Sequence, residues 1–403
     1  MIIGRKLTML NSRSTIREQN EHIVLTEIIN NPEISRAEIS KNANLNKATV
    51  SEIVRKFIDE EIVIETGIGA SSTSGGRKPI LLKINKRAGI SLNFDIRYDK
   101  ISYMATYLDG ETILLTSETR KINKENVVSI IEEIVNKFIR TSSFLKKTPF
   151  GLIGIAIAIH GIISENKITF TPYYDLDQID LAKELNQLLD LPIYIENEAN
   201  LSALSEASLD TQHKNLITMS IHTGVGAGII IDEKLYRGCE GRSGEIGHTI
   251  LYPNGMKCPC GNYGCLEQYC SETAVLRFYR EREQNDCLTI EDLIKNFHND
   301  EKNAVQIIED FAKNLSIGLI NLIGSYGPDI VYISGSLTSK MPSIINMINR
   351  HLSSTIYQNA PIKVSKIASH ASLYGATVMN IQNFLDVEAI KVDQKYSFEL
   401  MEI

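Results

Sequence analysis

The sequence predicts an α/β protein in which a winged helix-turn-helix module leads into a larger body of alternating strands and helices. Three observations carry this. Three short helices and a hairpin fit between residues 15 and 84, apolar strands alternate with amphipathic helices from Ile90 onward, and one imidazole and three thiols gather between His248 and Cys265. A chain of 403 residues is too long for one ordinary core and calls for two or three domains.

The first helix spans about residues 15–30, with Ile16, Ile23, Val24 and Ile28 near one face, and Asn31-Pro32 ends it. Ser35-Arg36-Ala37-Glu38 has the form of a capping box and opens a short second helix. Asn44-Leu45-Asn46 makes the turn, and Asn46 caps a third helix whose apolar stripe is Val50, Ile53, Val54, Phe57 and Ile58. A short helix, a tight turn and a helix opening on small polar residues is the plan that sets a recognition helix into the major groove. Residues 62–65 and 80–84 read as a hairpin, and the Gly/Ser-rich stretch between them ends in Gly75-Gly76-Arg77-Lys78-Pro79, a wing with a basic tip. The candidate DNA contacts are Arg36, Asn46, Lys47, Ala48, Thr49, Ser51, Arg55, Arg77 and Lys78. On pattern alone, a trihelical module of this kind also serves as a protein-interaction unit.

Charge divides unevenly along the chain. Residues 1–89 hold fourteen basic and ten acidic side chains, while the whole chain carries a formal net charge of −7. A basic module on an acidic body suits a DNA-contacting domain joined to something else. The 43% hydrophobic and 23% charged fractions are those of a soluble globular chain. Residues 1–10 lack an apolar core, so no signal peptide is expected, and the apolar run 151–163 is too short to span a bilayer. A cytoplasmic protein is expected.

In the body, strands are expected at residues 90–95, 101–107, 113–117, 152–159, 193–196, 216–221, 226–231 and 330–334, with helices at 124–140, 181–189 and 304–326. His248, Cys258, Cys260 and Cys265 form the soft N/S ligand set that zinc takes tetrahedrally, with no position left open for catalysis, so structural Zn2+ is the expected cofactor. The remaining Cys239, Cys270 and Cys287 are an odd number, which fits reduced thiols better than a disulfide framework.

The run Gly244-Glu245-Ile246-Gly247-His248-Thr249, the cysteine cluster and Cys265-Leu266-Glu267 together resemble the ROK family of repressors and sugar kinases. So does Ile221-His222-Thr223-Gly224-Val225-Gly226-Ala227-Gly228-Ile229, followed by Gly238, Gly241 and Gly244, and the likeness covers about residues 14–385. The resemblance implies a two-lobed actin/hexokinase-like body with its ligand in the cleft between lobes. The domains would be a winged helix-turn-helix at 1–86, a first lobe at 87–195 completed by a C-terminal helix at about 385–403, and a second lobe with the metal site at 196–384. It also implies that Asn197, Glu198, Glu245, His248 and Glu267 hold sugar hydroxyls, chemistry that carboxylates and amides suit.

One site departs from the family's kinases. Their phosphate-binding Asp-x-Gly-Gly-Thr corresponds here to Asp95-Ile96-Arg97-Tyr98-Asp99, and their Asp base to Glu198. Without the glycines, backbone N–H groups do not approach a phosphate closely, so no catalytic residue is expected. The glycines from Gly224 to Gly228 and Gly335 are read as turns retained for packing. His160-Gly161 and Pro172-Tyr173-Tyr174 replace residues usual in the kinases, and an aromatic wall there would narrow the pocket toward a pentose. These features most resemble the family's pentose-responsive repressors. The expectation is a repressor, not an enzyme, that binds palindromic operator DNA as a homodimer or a tetramer built from it, and that a sugar inducer, xylose in first place, releases. A kinase with an appended regulatory module, and a repressor answering to glucose or to a protein partner, stay open as alternatives.

Overall fold

The computed structural model describes residues 16–68, 78–172, 174–352 and 361–391. The chain opens with α1 (Ile16–Asn30), β1 (Ile34–Ser35), α2 (Arg36–Asn42), α3 (Lys47–Asp59), β2 (Val63–Ile68) and β3 (Ile80–Ile84). The strands form one antiparallel sheet in the order β1-β3-β2. The expected capping box is present: Ser35 Oγ accepts from the Glu38 N–H at 3.3 Å, and Glu38 Oε2 accepts from the Ser35 N–H at 2.9 Å. Asn46 Oδ1 accepts from the Ala48 N–H at 2.8 Å and starts α3. Val50, Ile53, Val54 and Phe57 are buried against Val24, Leu25 and Ile28. The apolar face expected for α1 needs correction. Ile16 is 78% exposed and Ile23 faces the junction with the body, while Leu25 takes a place in the core. Helical spacing alone does not separate a residue packed within the module from one packed at its edge.

The body holds two five-stranded sheets. The first is built from β4 (Ile90–Ile96), β5 (Lys100–Tyr107), β6 (Thr112–Thr119), β7 (Leu152–Ile159) and β10 (Ile193–Asn197), in the order β10-β7-β4-β5-β6. α4 (Val127–Thr141) and α5 (Leu181–Leu189) cover it, and a small hairpin of β8 (Ile162–Ser164) and β9 (Lys167–Phe170) extends from β7. β10, β7 and β4 run parallel, so Asn197, Ile159 and Ile96 end at the same edge.

α6 (Glu198–Leu209) then leads to the second sheet, β13-β12-β11-β14-β15, made of β11 (Leu216–Ile221), β12 (Val225–Ile231), β13 (Lys234–Leu235), β14 (Ile330–Gly335) and β15 (Ile362–Val364). Its helical cover consists of α7 (Glu267–Cys270), α8 (Glu272–Glu283), α9 (Ile290–His298), α10 (Lys302–Tyr326), α11 (Ser336–Lys340) and α12 (Ile344–His351). α13 (Ala371–Leu385) returns to pack on β4 and β7 of the first sheet. Residues 392–403, part of the expected C-terminal helix, lie outside the described residues. Among the described residues no helix is long and apolar enough to cross a membrane.

α6 and α13 lie between the sheets and touch backbone to backbone. A Cβ on Gly375 would stand 1.8 Å from the Leu201 carbonyl oxygen, and one on Gly228 would stand 2.2 Å from that of Ala199. Only glycine permits either approach. The module's core runs on into this region through Ala88, Phe150, Ile153, Met379 and Val387.

Glu206 is buried in the middle of this packing on α6, and its Oε1 has no hydrogen-bond partner. Burial, with Asp210 adding to it, pushes its carboxyl up to about 7. A raised acid favours the protonated folded state, so its contribution is favourable at low pH and is lost as pH rises from the unfolded value through about 7. The loss is about 3 kcal/mol. Glu206→Gln should therefore raise the melting temperature at pH 8 and confer no gain at pH 5. Equal melting curves at pH 8 would refute this account of the site.

Candidate functional site

The cleft opens where the carboxyl ends of β4, β7 and β10 meet the β11–β12 turn, the kind of edge at which open α/β sheets bind ligands. All five residues expected to hold a sugar line it: Asn197, Glu198, Glu245, His248 and Glu267. Asn197 is the N-cap of α6. Its Oδ1 accepts from the Ala199 and Asn200 N–H groups at 2.8 and 3.1 Å, and its Nδ2 donates to the Gly161 carbonyl at 2.8 Å. Most of its hydrogen-bonding capacity therefore fixes the helix that presents Glu198.

Three carboxylates converge on the opening. Glu198 Oε2 accepts from Ser220 Oγ at 2.9 Å, and Glu267 Oε2 accepts from the Val225 N–H at 3.2 Å. Burial raises both acids above their ordinary value. Glu245 is pushed up to about 7, by burial first and then by the charges of Glu198 and Glu267. A neutral ligand bearing several hydroxyls would give each acid a donor in place of water.

The wall beside Glu198 is polar in a way the motifs did not announce. His160 Nε2 lies 3.0 Å from Asp95 Oδ1, Ser372 Oγ donates to Asp95 Oδ2 at 2.5 Å, and Arg97 Nε stands 3.7 Å from the same carboxylate. Arg97 and His160 hold the Asp95 carboxyl far below its usual range, against the opposing effect of burial. Tyr98 and Asp99 complete this wall. Tyr174, expected to offer a stacking face, is only 7% exposed; its hydroxyl donates to the Ile96 carbonyl at 2.7 Å and accepts from the His160 N–H at 3.2 Å. Its polar end latches β7 to β4. Tyr173 lies outside the described residues.

Behind the cleft, one ligand atom each from His248, Cys258, Cys260 and Cys265 lies within 4.8 Å of the others. Cys260 and Cys265 sulfurs are 3.7 Å apart, and His248 Nδ1 is 3.5 Å from Cys258 Sγ. Bonds of about 2.3 Å to sulfur and 2.0–2.1 Å to nitrogen give a tetrahedron with edges of about 3.5–3.8 Å, so the donor set fits one such cation. Two isolated bridges, Ile250 with Cys265 and Lys257 with Tyr263, hold the loop. Nδ1 of His248 faces the thiols while Nε2 lies 3.8 Å from Glu245 Oε2, so one ring spans the metal cluster and the cleft.

On the module, Lys47, Ala48, Ser51 and Arg55 are exposed on α3 and Thr49 is half-buried. Asn46 is engaged as the cap, Ser51 Oγ donates to the Lys47 carbonyl at 2.8 Å, and Arg36 is paired with Glu65 at 2.9 Å. Lys78 is exposed before β3, and Arg77 lies outside the described residues.

A model described as the ROK family matches residues 94–383, and one described as winged helix-turn-helix DNA-binding matches residues 17–64. The xylose repressor of Bacillus spizizenii is 35% identical over 384 residues, covering 92% of this chain and 97% of that protein. The xylose repressor of Staphylococcus xylosus is 36% identical over 385 residues, covering 94% and 99%. A crystal structure of a ROK family transcriptional regulator, homolog of the E. coli MLC protein, superposes with a TM-score of 0.77 at 26% identity, covering 92% of this chain and 96% of that one.

The cap geometry makes Asn197 a structural residue as much as a ligand-facing one. Asn197→Ala should lower stability by about 1 kcal/mol. Asn197→Asp, which keeps an acceptor for the two N–H groups, should lose less. Equal losses in urea unfolding would show that the cap is not what Asn197 supplies.

Proposed function

The chain belongs to the ROK family, and on that premise we propose that it is a sugar-responsive transcriptional repressor, released from operator DNA by xylose. The observation that carries this reading is the union in one chain of an exposed recognition helix with a cleft that keeps its carboxylates and has lost its phosphate loop. Lys47, Ala48, Thr49, Ser51 and Arg55 would enter the major groove, while Lys78 and Arg77 would reach the flanking phosphates or minor groove. Two modules in a dimer would read half-sites about 34 Å apart, which makes the operator a palindrome.

In the cleft, Glu198, Glu245 and Glu267 accept from the sugar hydroxyls, with the remaining Asn197 N–H and His248 Nε2 beside them. At the position of the family's phosphate glycines stands Arg97, close to Asp95. This internal ion pair leaves the N–H cradle for a nucleotide missing and supports a regulator over a kinase. Zinc is the cation that best suits three thiolates and one imidazole. Held by His248, Cys258, Cys260 and Cys265, it would fix the loop that carries Glu267 and orient the His248 ring.

Coupling runs through the helices between the sheets. α6 starts at the cleft, crosses α13 at Gly375, and α13 ends at Asp386, whose carboxylate lies 3.9 Å from His22 of α1. Arg237 pairs with Glu196 at 2.6 Å and also lines the space between α1 and α13. Sugar that favours one angle between the lobes would change the position of the DNA modules. It shifts the equilibrium only by its differential affinity for the two states.

Titration of a palindromic fragment selected from random DNA should show operator affinity falling about 5–150-fold at saturating xylose, the range of ordinary allosteric coupling. Glucose and N-acetylglucosamine should do less, and no ADP should form with ATP and any of the three sugars. Unchanged operator affinity at saturating xylose would overturn the inducer. For the metal, one zinc per chain is expected in the wild type; Cys260→Ser should lose it and melt at lower temperature. Retention of full stability without metal would reduce the cluster to an incidental site.

A further inference from the structure

His160 lines the same opening as the residues assigned to the sugar and stands beside Glu198, yet neither the motifs nor the fold requires a histidine there. It follows directly on β7, at the edge where Asp95 of β4 and Asn197 of β10 also emerge. Its ring is fixed from behind. Nε2 meets Asp95 Oδ1 at 3.0 Å, and its own backbone N–H is held by the Tyr174 hydroxyl. Asp95 in turn is fixed by Ser372 and flanked by Arg97. An aspartate so held is an acceptor, so Nε2 donates to it and Nδ1 is left toward the cleft. Nδ1 stands 3.7 Å from Glu198 Oε1, beyond hydrogen-bonding reach, and the residue lines the opening.

Two adjacent groups able to hydrogen-bond a hydroxyl, both held by buried partners, match the hydroxyls of neighbouring ring carbons in a monosaccharide. We propose that His160 is a sugar-contacting, specificity-determining residue, its Nδ1 taking the hydroxyl next to the one held by Glu198. The proposal rests on the reading of this cleft as a sugar site and adds a ligand to it. Asp95 acts as a positioning residue that holds the His160 ring through Nε2, and Arg97 flanks Asp95. A site built to hydrogen-bond a hydroxyl strongly rejects the analogue lacking it, because its polar group is then left unpaired. Selectivity at one ring position therefore comes from His160.

Calorimetry on the full-length, zinc-loaded chain with xylose and its 2-, 3- and 4-deoxy forms tests this. The wild type should bind xylose and lose affinity for each deoxy sugar whose missing hydroxyl it contacts. His160→Ala should weaken xylose about tenfold, and the penalty at one deoxy position alone should vanish, as a double-mutant cycle requires of two groups in contact. His160→Gln has an amide to replace the bond to Asp95, so it should melt close to the wild type and still bind xylose weakly. It decides the matter if the alanine variant does not fold. Unchanged affinities in a folded variant overturn the proposal, as does one common factor lost for xylose and all three deoxy sugars, the mark of a packing role. A wild type that binds none of these and no other aldose overturns the sugar reading itself, and this proposal with it.

Discussion

The contact on which the rest of this structure depends is the crossing of α6 and α13. No side chain separates them at Gly375, where the helix surface meets the Leu201 carbonyl directly. α13 is seated on the first sheet and α6 on β11 and β12 of the second, so this crossing joins the two halves of the body. A side chain on Gly375 or Gly228 would drive the layers apart and displace the N-terminus of α6. Because Asn197 caps that terminus and Glu198 is its first residue, the packing that closes the core also aims the carboxylate into the cleft. Stability and site geometry are one constraint here.

The cleft has its own electrostatic logic. Three acids line the cleft, and burial works against the ionisation of each. Beside Glu198, Asp95 stays ionised because Arg97, His160 and Ser372 surround it. The wall is thus internally compensated, while the carboxylates keep acceptors for an outside donor. In a nucleotide-binding relative of this fold the wall's position would meet phosphate. Here an arginine is already matched to an aspartate, and the acceptors left in the cleft suit the hydroxyls of the proposed sugar.

Much of this was legible in the chain. Ser35 with Glu38, and Asn46, announced the starts of α2 and α3, because caps are local chemistry that tertiary packing rarely overrides. The strands Leu152–Ile159 and Leu216–Ile221 were readable to the residue: the first is a continuous apolar run, the second is apolar but for Thr218 and Ser220, and both are buried on both faces. The cysteine spacing pointed to a cluster that the fold does bring together. Other parts were hidden. α6 reads as a polar motif because Asn200, Ser202, Ser205 and Glu206 are buried between layers, so it shows no amphipathic period. The partnership of Asp95, His160 and Ser372 joins three distant segments that only the sheet order brings together. Tyr174 lines the cleft as the sequence suggests, but its second role, a hydroxyl that latches β7 to β4, depends on where that hydroxyl finds a partner and is not legible in the chain.

The loss of the phosphate loop also bears on what the binding energy is for. In a kinase of this architecture, closing the lobes around a sugar brings a second substrate into line, and part of the sugar's binding energy goes into that alignment. In the repressor proposed above, with Arg97 facing Asp95, closure has no transfer to assemble. Whatever a sugar contributes by preferring the closed form is then available to move something else, and the element within reach is the module attached through α13, Asp386 and α1. A module on a long, loose linker would not feel the angle between the lobes. This one shares a hydrophobic core with the body, through Ala88, Phe150 and Val387, so in the proposed mechanism a change in lobe angle would reach the base of the DNA-binding helices.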